Sequence, residues 1–302
     1  MISVVIPTHN RADLIERAAK SVLNQTIKNI ELIIISDGST DGTDSILEKL
    51  RNTDERIRTV SYHPSKGGNA ARNIGVEMSS YEYIAFLDDD DEWLPHKLEQ
   101  QLEVFESDKE IGLVYTGFNS IYVDEGVSYL SRPSISGDLS HKILFKNFIG
   151  TTSAVMIKKS ILKKTGLFDV NLGARQDYDL WIRACQLCKV GVVPEPLLNY
   201  YNYKGNNQIS LQTKKYENAI SYIDAKYIDL LAKLSKREKK VRRKNSNLLL
   251  ANKAMRNNDK RLSWSYTLRS LVEYPSIRGL TYLILSLFDY STTLKLRKLI
   301  KL

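Results

Sequence analysis

The chain has little of what secreted mini-proteins and membrane proteins depend on. It carries only 2 cysteines in 302 residues, too few for a disulfide framework, and reads as the product of a reducing compartment. The longest uncharged apolar run, Gly279 to Phe288, has ten residues, about half of the roughly 20 that a membrane helix needs. The opening segment, MISVVIPTHN, has no basic n-region and enters an apolar strand-like run at once, which argues against a signal peptide. Low-complexity tracts are absent, and after Tyr216 glycine almost vanishes, with only Gly279 left. What is present is 42% hydrophobic and 26% charged residues, enough for one large core or two smaller ones and unlike a disordered chain. The expectation is a cytoplasmic protein that is free in solution or lies on the inner face of the cell membrane without crossing it.

A net positive charge is also missing from most of the chain. The net charge of +9 resides in the segment Lys233–Leu302, which has 18 Lys and Arg against 4 Asp and Glu, whereas the first 232 residues hold 26 basic and 31 acidic residues. A mildly acidic body argues against a nucleic-acid-binding core, and the run Lys236–Lys244 (KREKKVRRK) has no aromatic residue interleaved with its cations. That run suits an exposed helical face or a junction. The tail as a whole suits a solvated face or an anionic membrane surface.

Over residues 1–90 two periods alternate. Ile2–Ile6, Leu32–Ile35 and Tyr83–Leu87 read as buried strands, with Ile57–Tyr62 a weaker one. Ala12–Leu23, Thr43–Leu50 and Asn69–Met78 read as helices, and Thr40-Asp41 supplies capping groups for the second. This order predicts a parallel α/β sheet with helices on both faces. Ligands bind such sheets beyond the carboxyl ends of the strands, so the loops beginning at Pro7, Ser36, His63 and Asp88 are where chemistry is sought. Further on, Pro95–Phe105 and Asp177–Cys188 read as helices and Leu113–Val123 and Ala154–Ile157 as strands. Beyond a boundary near 212–232 all spacing is helical. The expected division is 1–215 for the α/β domain and 216–302 for a basic helical extension.

The residues in those loops narrow the chemistry. Asp88-Asp89-Asp90-Asp91 follows a strand directly, and adjacent carboxylates repel one another. Their most economical use is to hold a hard divalent cation that also bridges phosphates; the plainer reading is an acidic helix start before Pro95. An aspartyl-nucleophile phosphatase would need acid after the first strand, where Pro7-Thr8-His9 stands. Ser36-Asp37-Gly38-Ser39 offers either an Asx-capped turn or a carboxylate able to accept from a nucleobase imide. Lys66-Gly67-Gly68 opens a helix with backbone N–H groups suited to an anion, but neither a phosphate-loop ending nor GxGxxG is present, which disfavours dinucleotide binding. The CxxC spacing of Cys185 and Cys188 lies in a helical segment without a partner pair and points to core packing. Trp93 and Trp181 suit core packing or stacking on a sugar, Thr151-Thr152-Ser153 suits a solvated loop or a face toward a donor sugar, and His9 lies within the first loop, where it suits a pocket lining or no role at all.

VVIPTHNR, ISDGSTDGT, GGNAARNIG and FLDDDDEW occur in one order after successive strands, and Gly173-Ala174-Arg175-Gln176-Asp177-Tyr178-Asp179-Leu180-Trp181 follows. Over roughly residues 1–210 this resembles the family-2 glycosyltransferases, whose nucleotide-sugar domain has the Rossmann-like GT-A fold with a mixed sheet. The resemblance implies that Pro7, Thr8 and Arg11 border the base and phosphates and that Asp37 accepts the uracil N3–H, a thymine imide serving equally. It implies that Lys66 and Arg72 lie near the ribose and diphosphate. Asp88 and Asp90 match the Asp-x-Asp positions, with Asp89 near the ribose, Asp90 in direct contact with Mn2+ or Mg2+, and Asp88 as second metal position. Asp177 matches the general base. The implied activity is metal-dependent inverting transfer of one hexosyl or N-acetylhexosaminyl group from a nucleotide sugar, in all expectation a UDP-sugar, to a glycan or lipid-linked acceptor in surface polysaccharide such as capsule. A nucleotide-sugar-binding pseudoenzyme and a nucleotidyltransferase of similar fold are the rivals.

Three departures from the family pattern stand out. Ser36 replaces the first Asp of Asp-Asp-Gly-Ser, Gln176 replaces a Glu beside Asp177, and Tyr201-Asn202-Tyr203-Lys204 lacks an Arg before Gln208-Ile209-Ser210, with Lys204 a candidate substitute. The Gln-x-x-Arg-Trp motif of processive members is absent, which favours addition of a single sugar. In the tail, Ile277, Leu280, Ile284, Leu287, Phe288, Leu294, Leu299 and Ile300 lie among basic residues, a composition that suits a helix in the headgroup plane, or packing on the catalytic domain or on a second copy of the chain. Nucleic acid is not expected as a partner.

Overall fold

The computed structural model describes residues 1–204 and 212–299. The four apolar runs form β1 (Ile2–Thr8), β2 (Ile30–Asp37), β3 (Ile57–Tyr62) and β4 (Tyr83–Phe86), all parallel in the order β3-β2-β1-β4. The connecting helices are α1 (Ile15–Leu23), α2 (Thr43–Thr53) and α3 (Gly68–Met78). Val4, Ile6, Leu32 and Ile34 face the helix side chains Ala18, Ala19 and Val22 on one side of the sheet. Ile33 and Ile35 face Ala71 on the other. With both faces covered, every residue of β1 and β2 is buried. Gly75 lets α3 press onto β1, since a Cβ there would lie 2.3 Å from Val5 Cγ1. Helix α1 starts at Ile15 rather than Ala12 because the preceding turn is fastened elsewhere. Arg11 N–H donates to Thr43 Oγ1 at 2.9 Å and Ala12 N–H to Asp41 Oδ2 at 3.2 Å.

The sheet continues as a mixed one. After β4 come β5 (Glu92–Trp93), α4 (Lys97–Ser107), β6 (Ile111–Tyr122), β7 (Val127–Ser131), β8 (Val155–Lys158), α5 (Lys159–Thr165), α6 (Gln176–Cys185) and β9 (Lys189–Asn202). The full order is β3-β2-β1-β4-β8-β6-β9-β5, with β7 paired to β6. β8 runs antiparallel to both β4 and β6, as the GT-A expectation of a mixed sheet requires. Strand β9 was not foreseen, since Pro194 and Pro196 argue against a paired strand. It pairs with β6 nonetheless, and register shifts at Gly117, opposite Pro196, absorb the missing donors. Trp181 and Trp93 are both buried, and Cys185 is a buried free thiol, so all three pack in the core.

Among the described residues six helices follow β9: α7 (Thr213–Lys226), α8 (Ile228–Ala232), α9 (Lys236–Arg256), α10 (Lys260–Glu273), α11 (Ile277–Leu285) and α12 (Tyr290–Leu299). Ala219 and Ile223 of α7 join the cluster that holds Tyr178 and Trp181 of α6. The fully buried Asp179 anchors this contact: Lys226 Nζ lies 2.9 Å from its Oδ1 and Tyr227 Oη donates to the same oxygen at 2.7 Å. Within the basic run Lys236–Lys244, Arg242 turns inward, pairing with Asp224 at 2.5 Å and donating to Tyr178 Oη at 3.1 Å. Leu248, Ala251, Met255, Tyr266, Tyr282 and Leu294 form a separate cluster around Val127 of β7. Leu294 is therefore core and not part of an outward apolar face, and Ile300 lies outside the described residues. Among the described residues no helix is long and apolar enough to cross a membrane.

Candidate active site

A cavity of about 660 Å³ opens where β1, β2 and β4 end, and its opposite wall comes from α6, α9 and α11. Pro7, Thr8, Arg11, Asp37, Arg72, Asp88, Asp89, Asp90 and Asp177 all line it, as does His9. Lys66 does not. Its ammonium group sits 5.1 Å from the Tyr62 ring centroid, outside the cavity, and only its backbone N–H serves the site.

That N–H bonds to Asp37. The Asp37 Oδ1 accepts from Lys66 N–H at 2.6 Å, and Oδ2 accepts from Ser65 Oγ at 2.7 Å and Gly67 N–H at 2.8 Å. Burial alone would raise this carboxyl, but these donors and the Tyr62 hydroxyl outweigh it and hold the group below the usual carboxylate range. Gly38 makes the approach possible: its φ is +68°, and a Cβ would meet Ser65 N at 2.6 Å. Asp37 thus ties the second loop to the third, and both of its oxygens already have donors.

The acidic run distributes its charges among separate partners. Arg72 Nη2 lies 2.6 Å from Asp88 Oδ1, and Thr152 Oγ1 donates to the same oxygen at 3.2 Å. Arg11 Nε lies 3.7 Å from Asp89 Oδ1. Burial and the neighbouring Asp90 push the Asp89 carboxyl up to about 7. Asp91 is wholly buried, accepting from Ser153 Oγ at 2.6 Å and Tyr201 N–H at 3.2 Å, and burial with the charges of Asp90 and Asp88 drives its carboxyl well upward. Arg17 of α1 donates to the Asp90 carbonyl at 2.6 Å and lies 4.1 Å from the Tyr201 ring centroid. Among the described residues no group of three or more His, Cys, Asp or Glu is arranged to enclose a cation. Asp88 and Asp90 fit a cation whose remaining ligands are phosphate oxygens, because one or two carboxylates suffice for such a site.

Across the cavity, Asp177 stands in the first turn of α6. Asn147 Nδ2 donates to its Oδ2 at 3.0 Å and Tyr178 N–H to its Oδ1 at 2.7 Å. Burial raises the carboxyl above its ordinary value, and the charge of Asp88 adds to this. Arg175 just before it adopts a left-handed φ of 57° and stacks 4.3 Å from the Tyr178 ring centroid.

Thr152 and Ser153 are buried donors to the acidic run and not a solvated loop, and Thr151 and Thr152 line the cavity. Lys204 pairs with Glu125 at 2.8 Å, which directs it to the β6–β7 turn instead of a diphosphate. Gln208-Ile209-Ser210 lies outside the described residues. Other site residues escaped the sequence reading: Asn147, Arg17 and the cavity-facing residues of α9 and α11 carried no local motif. The one available signal was the basic charge of the tail.

A mixed sheet with carboxylates beyond β4 and a further carboxylate facing them from α6 defines a GT-A-type transferase site. The chain belongs to glycosyl transferase family 2, whose sequence pattern matches residues 3–166, and it is a glycosyltransferase. It is 36% identical over 183 residues, 60% of this chain and 71% of the other, to TuaG of Bacillus subtilis, named as a glycosyltransferase of teichuronic acid biosynthesis. It is 31% identical over 184 residues (60% and 69%) to WfaP of Escherichia coli, named as a UDP-Glc:α-D-GlcNAc-diphosphoundecaprenol β-1,3-glucosyltransferase. The fold resembles TarS 1-349 of S. aureus in complex with UDP-GlcNAc, with a TM-score of 0.59, 16% identity and coverage of 94% of this chain and 90% of that one. It also resembles the mannosyltransferase PcManGT of Pyrobaculum calidifontis in complex with GDP-Man and Mn2+, with a TM-score of 0.61, 16% identity and coverage of 99% and 86%.

The crowding of the acidic run sets a pH dependence of stability. A carboxyl raised on folding, as in Asp89 and Asp91, binds more protons in the folded than in the unfolded state. Its stabilising effect is therefore complete below the unfolded pKa and declines as pH rises to the folded one. Arg11→Leu removes the cation that offsets the raised Asp89. We expect the melting temperature of this variant to trail that of the native protein more at pH 7 than at pH 4.5, measured by thermal unfolding; a pH-independent gap would show that Arg11 acts by packing alone.

Proposed function

We propose that the protein is an inverting, metal-dependent glycosyltransferase that moves one sugar from a UDP-sugar to a hydroxyl of a glycan or lipid-linked acceptor in surface polysaccharide synthesis. The observation that carries this is the single cavity in which the Asp88–Asp90 carboxylates and the Asp177 carboxylate face one another. In this reading Pro7, Thr8, Asp37 and Asp89 border the nucleoside, and Arg11 and Arg72 stand near its phosphates. Asp90 and Asp88 would hold a divalent cation, which when bound would offset the charge that develops on the leaving diphosphate. Asp177, ionised, takes the proton of the acceptor hydroxyl as its oxygen bonds to the anomeric carbon and the bond from that carbon to the diphosphate breaks. A single base opposite the leaving group accords with inversion. The names borne by TuaG and WfaP support a surface glycan as the destination, and the presence of both Asp90 and Asp177 favours an enzyme over a binding protein.

The base must be ionised, and burial raises its pKa, so turnover should rise with pH through a limb above the ordinary carboxylate range. Asn147→Ala removes a donor to the charged form and should move that limb higher still. Asp177→Asn keeps the shape without the basic oxygen and should lower kcat by about 100-fold or more with donor affinity little changed. Loss of donor binding with turnover retained at saturation would assign Asp177 to the nucleotide instead. Chelation of divalent cations should abolish transfer, and so should Asp90→Ala; full activity in excess chelator overturns the metal assignment.

The tail also supports a seat on an anionic membrane. Val272 is 85% and Ile277 83% exposed, and Leu280, Ile284, Leu287 and Phe288 are exposed as well, in a segment with a large excess of cations. Apolar side chains of this kind enter the headgroup boundary, and each nearby Lys or Arg adds about 1 kcal/mol on an anionic surface. The protein should sediment with anionic vesicles at low salt, release as salt rises, and lose binding in an Ile277→Glu, Ile284→Glu double variant. If the native protein ignores the vesicles and the variant changes only the oligomeric state, the face serves assembly.

A further inference from the structure

The cavity is bipolar. Its end at the strands is lined by Asp37 and the acidic run, whereas the wall built by α9, α11 and the Phe145–Asn147 segment is lined by Lys146, Lys253 and Arg278, with Arg175 from the turn before α6. Apart from Asp177, no carboxylate of the described residues lines this second end. Among the described residues, none of the four cations forms an ion pair with a carboxylate. Arg242, which also lines this wall, is already engaged by Asp224.

Their surroundings show that these charges are held together at a cost. The Arg175 Nη1 group is buried without a hydrogen-bond partner. Lys253 lies 4.3 Å from the Tyr216 ring centroid, and burial together with the neighbouring Arg256 pushes its ammonium down to about 7. Burial and the nearby Arg278 lower Lys146 as well. Asp177 offsets Arg175 and Lys253 in part without pairing with either, and an entering anion relieves the remaining repulsion among the four cations and satisfies the unused Arg175 donor. A guanidinium fork and a compact ammonium together suit phosphate oxygens best.

We propose that this end of the cavity is a subsite for a phosphate or diphosphate ester on the acceptor, next to the sugar whose hydroxyl is glycosylated. The assignment rests on the reading above, in which the donor diphosphate occupies the Asp88–Asp90 end and Asp177 works between the two. Asp177 lies within electrostatic reach of both ends, being affected by Asp88 on one side and Arg175 on the other, and in turn affecting Lys253. Helix α11 gives the subsite a natural approach: Arg278 and Tyr282 line the cavity while Ile277, Leu280 and Ile284 of the same helix are exposed. An acceptor whose phosphate is esterified to a lipid would meet the cations and the apolar row on one element.

The test is direct binding to the full chain by calorimetry, with inorganic pyrophosphate and dodecyl diphosphate in chelator as probes, and UDP with manganese as the donor-side control. The native protein should bind pyrophosphate. Arg278→Glu, an exposed position that leaves the core intact, and Lys253→Met should each weaken binding by at least about tenfold, the size of one charge-assisted hydrogen bond, with UDP affinity unchanged. Tighter binding of dodecyl diphosphate than of pyrophosphate identifies a lipid carrier, and equal binding identifies a soluble or polymeric phosphate ester. No pyrophosphate binding by the native protein, or equal binding by native and variant proteins, overturns the subsite. A parallel loss of UDP affinity overturns it too, because the cations would then serve the donor. If the native protein binds pyrophosphate but not UDP, the donor reading fails and the anion site stands apart from it.

Discussion

Four carboxylates in sequence at the end of β4 are the constraint around which the site is organised. Side by side in a partly buried turn they repel one another, and the fold answers by giving them partners from separate parts of the chain. Arg72 from α3 meets Asp88, Arg11 from the first loop meets Asp89, and Ser153 with the Tyr201 backbone meets the buried Asp91. Arg17 of α1 holds the Asp90 carbonyl. The loops that meet at the cavity are therefore bound to one another through the acidic run. Burial first, and the neighbouring carboxylates after it, drive Asp89 and Asp91 upward, and in the proposed function the charge that remains would favour a cation and the phosphates it brings.

The second organising contact fixes where the opposite carboxylate stands. Asp177 begins α6, and two residues later Asp179 is buried against α7 through Lys226 and Tyr227, while Tyr178 is held by Arg242 of α9. Leaving any of these buried charges without its partner would be strongly destabilising. The helices after residue 212 thus do more than follow the catalytic sheet. They lock the start of α6, and residues of α9 and α11 complete the cavity wall. The cavity has carboxylates at one end and, at the other, cations without an ion pair among the described residues, Lys253 and Arg278 from the basic tail and Lys146 and Arg175 from the body.

Most of the α/β core was legible because its signals are local. Runs such as Ile2–Ile6 and Leu32–Ile35 are buried on both faces and need no knowledge of their neighbours, and α2 and α3 appear where apolar period and loop chemistry agree. The acidic run, the Asp37 loop and Asp177 were legible as well, since each carries its chemistry in a few adjacent residues. Strand β9 was hidden because its prolines contradict strand propensity, and only bulges in its partner β6 reconcile them. Lys66 and Lys204 looked like phosphate ligands by charge and position, yet Tyr62 and Glu125 draw them away.

By itself the sequence determined the order of strands and helices over the first 90 residues, the residue types at each of those strand ends, and the uneven division of charge, because all three depend on near neighbours along the chain. Tertiary structure alone decided which charges meet. Asp88 is paired with Arg72 and Thr152, Asp37 binds the third loop in addition to any ligand, and Lys253, 76 residues beyond Asp177 in the sequence, shares a cavity with it. Such pairings follow from the register of a mixed sheet and the packing of α7 and α9 on α6, in which contacts between distant segments fix positions that no local pattern encodes.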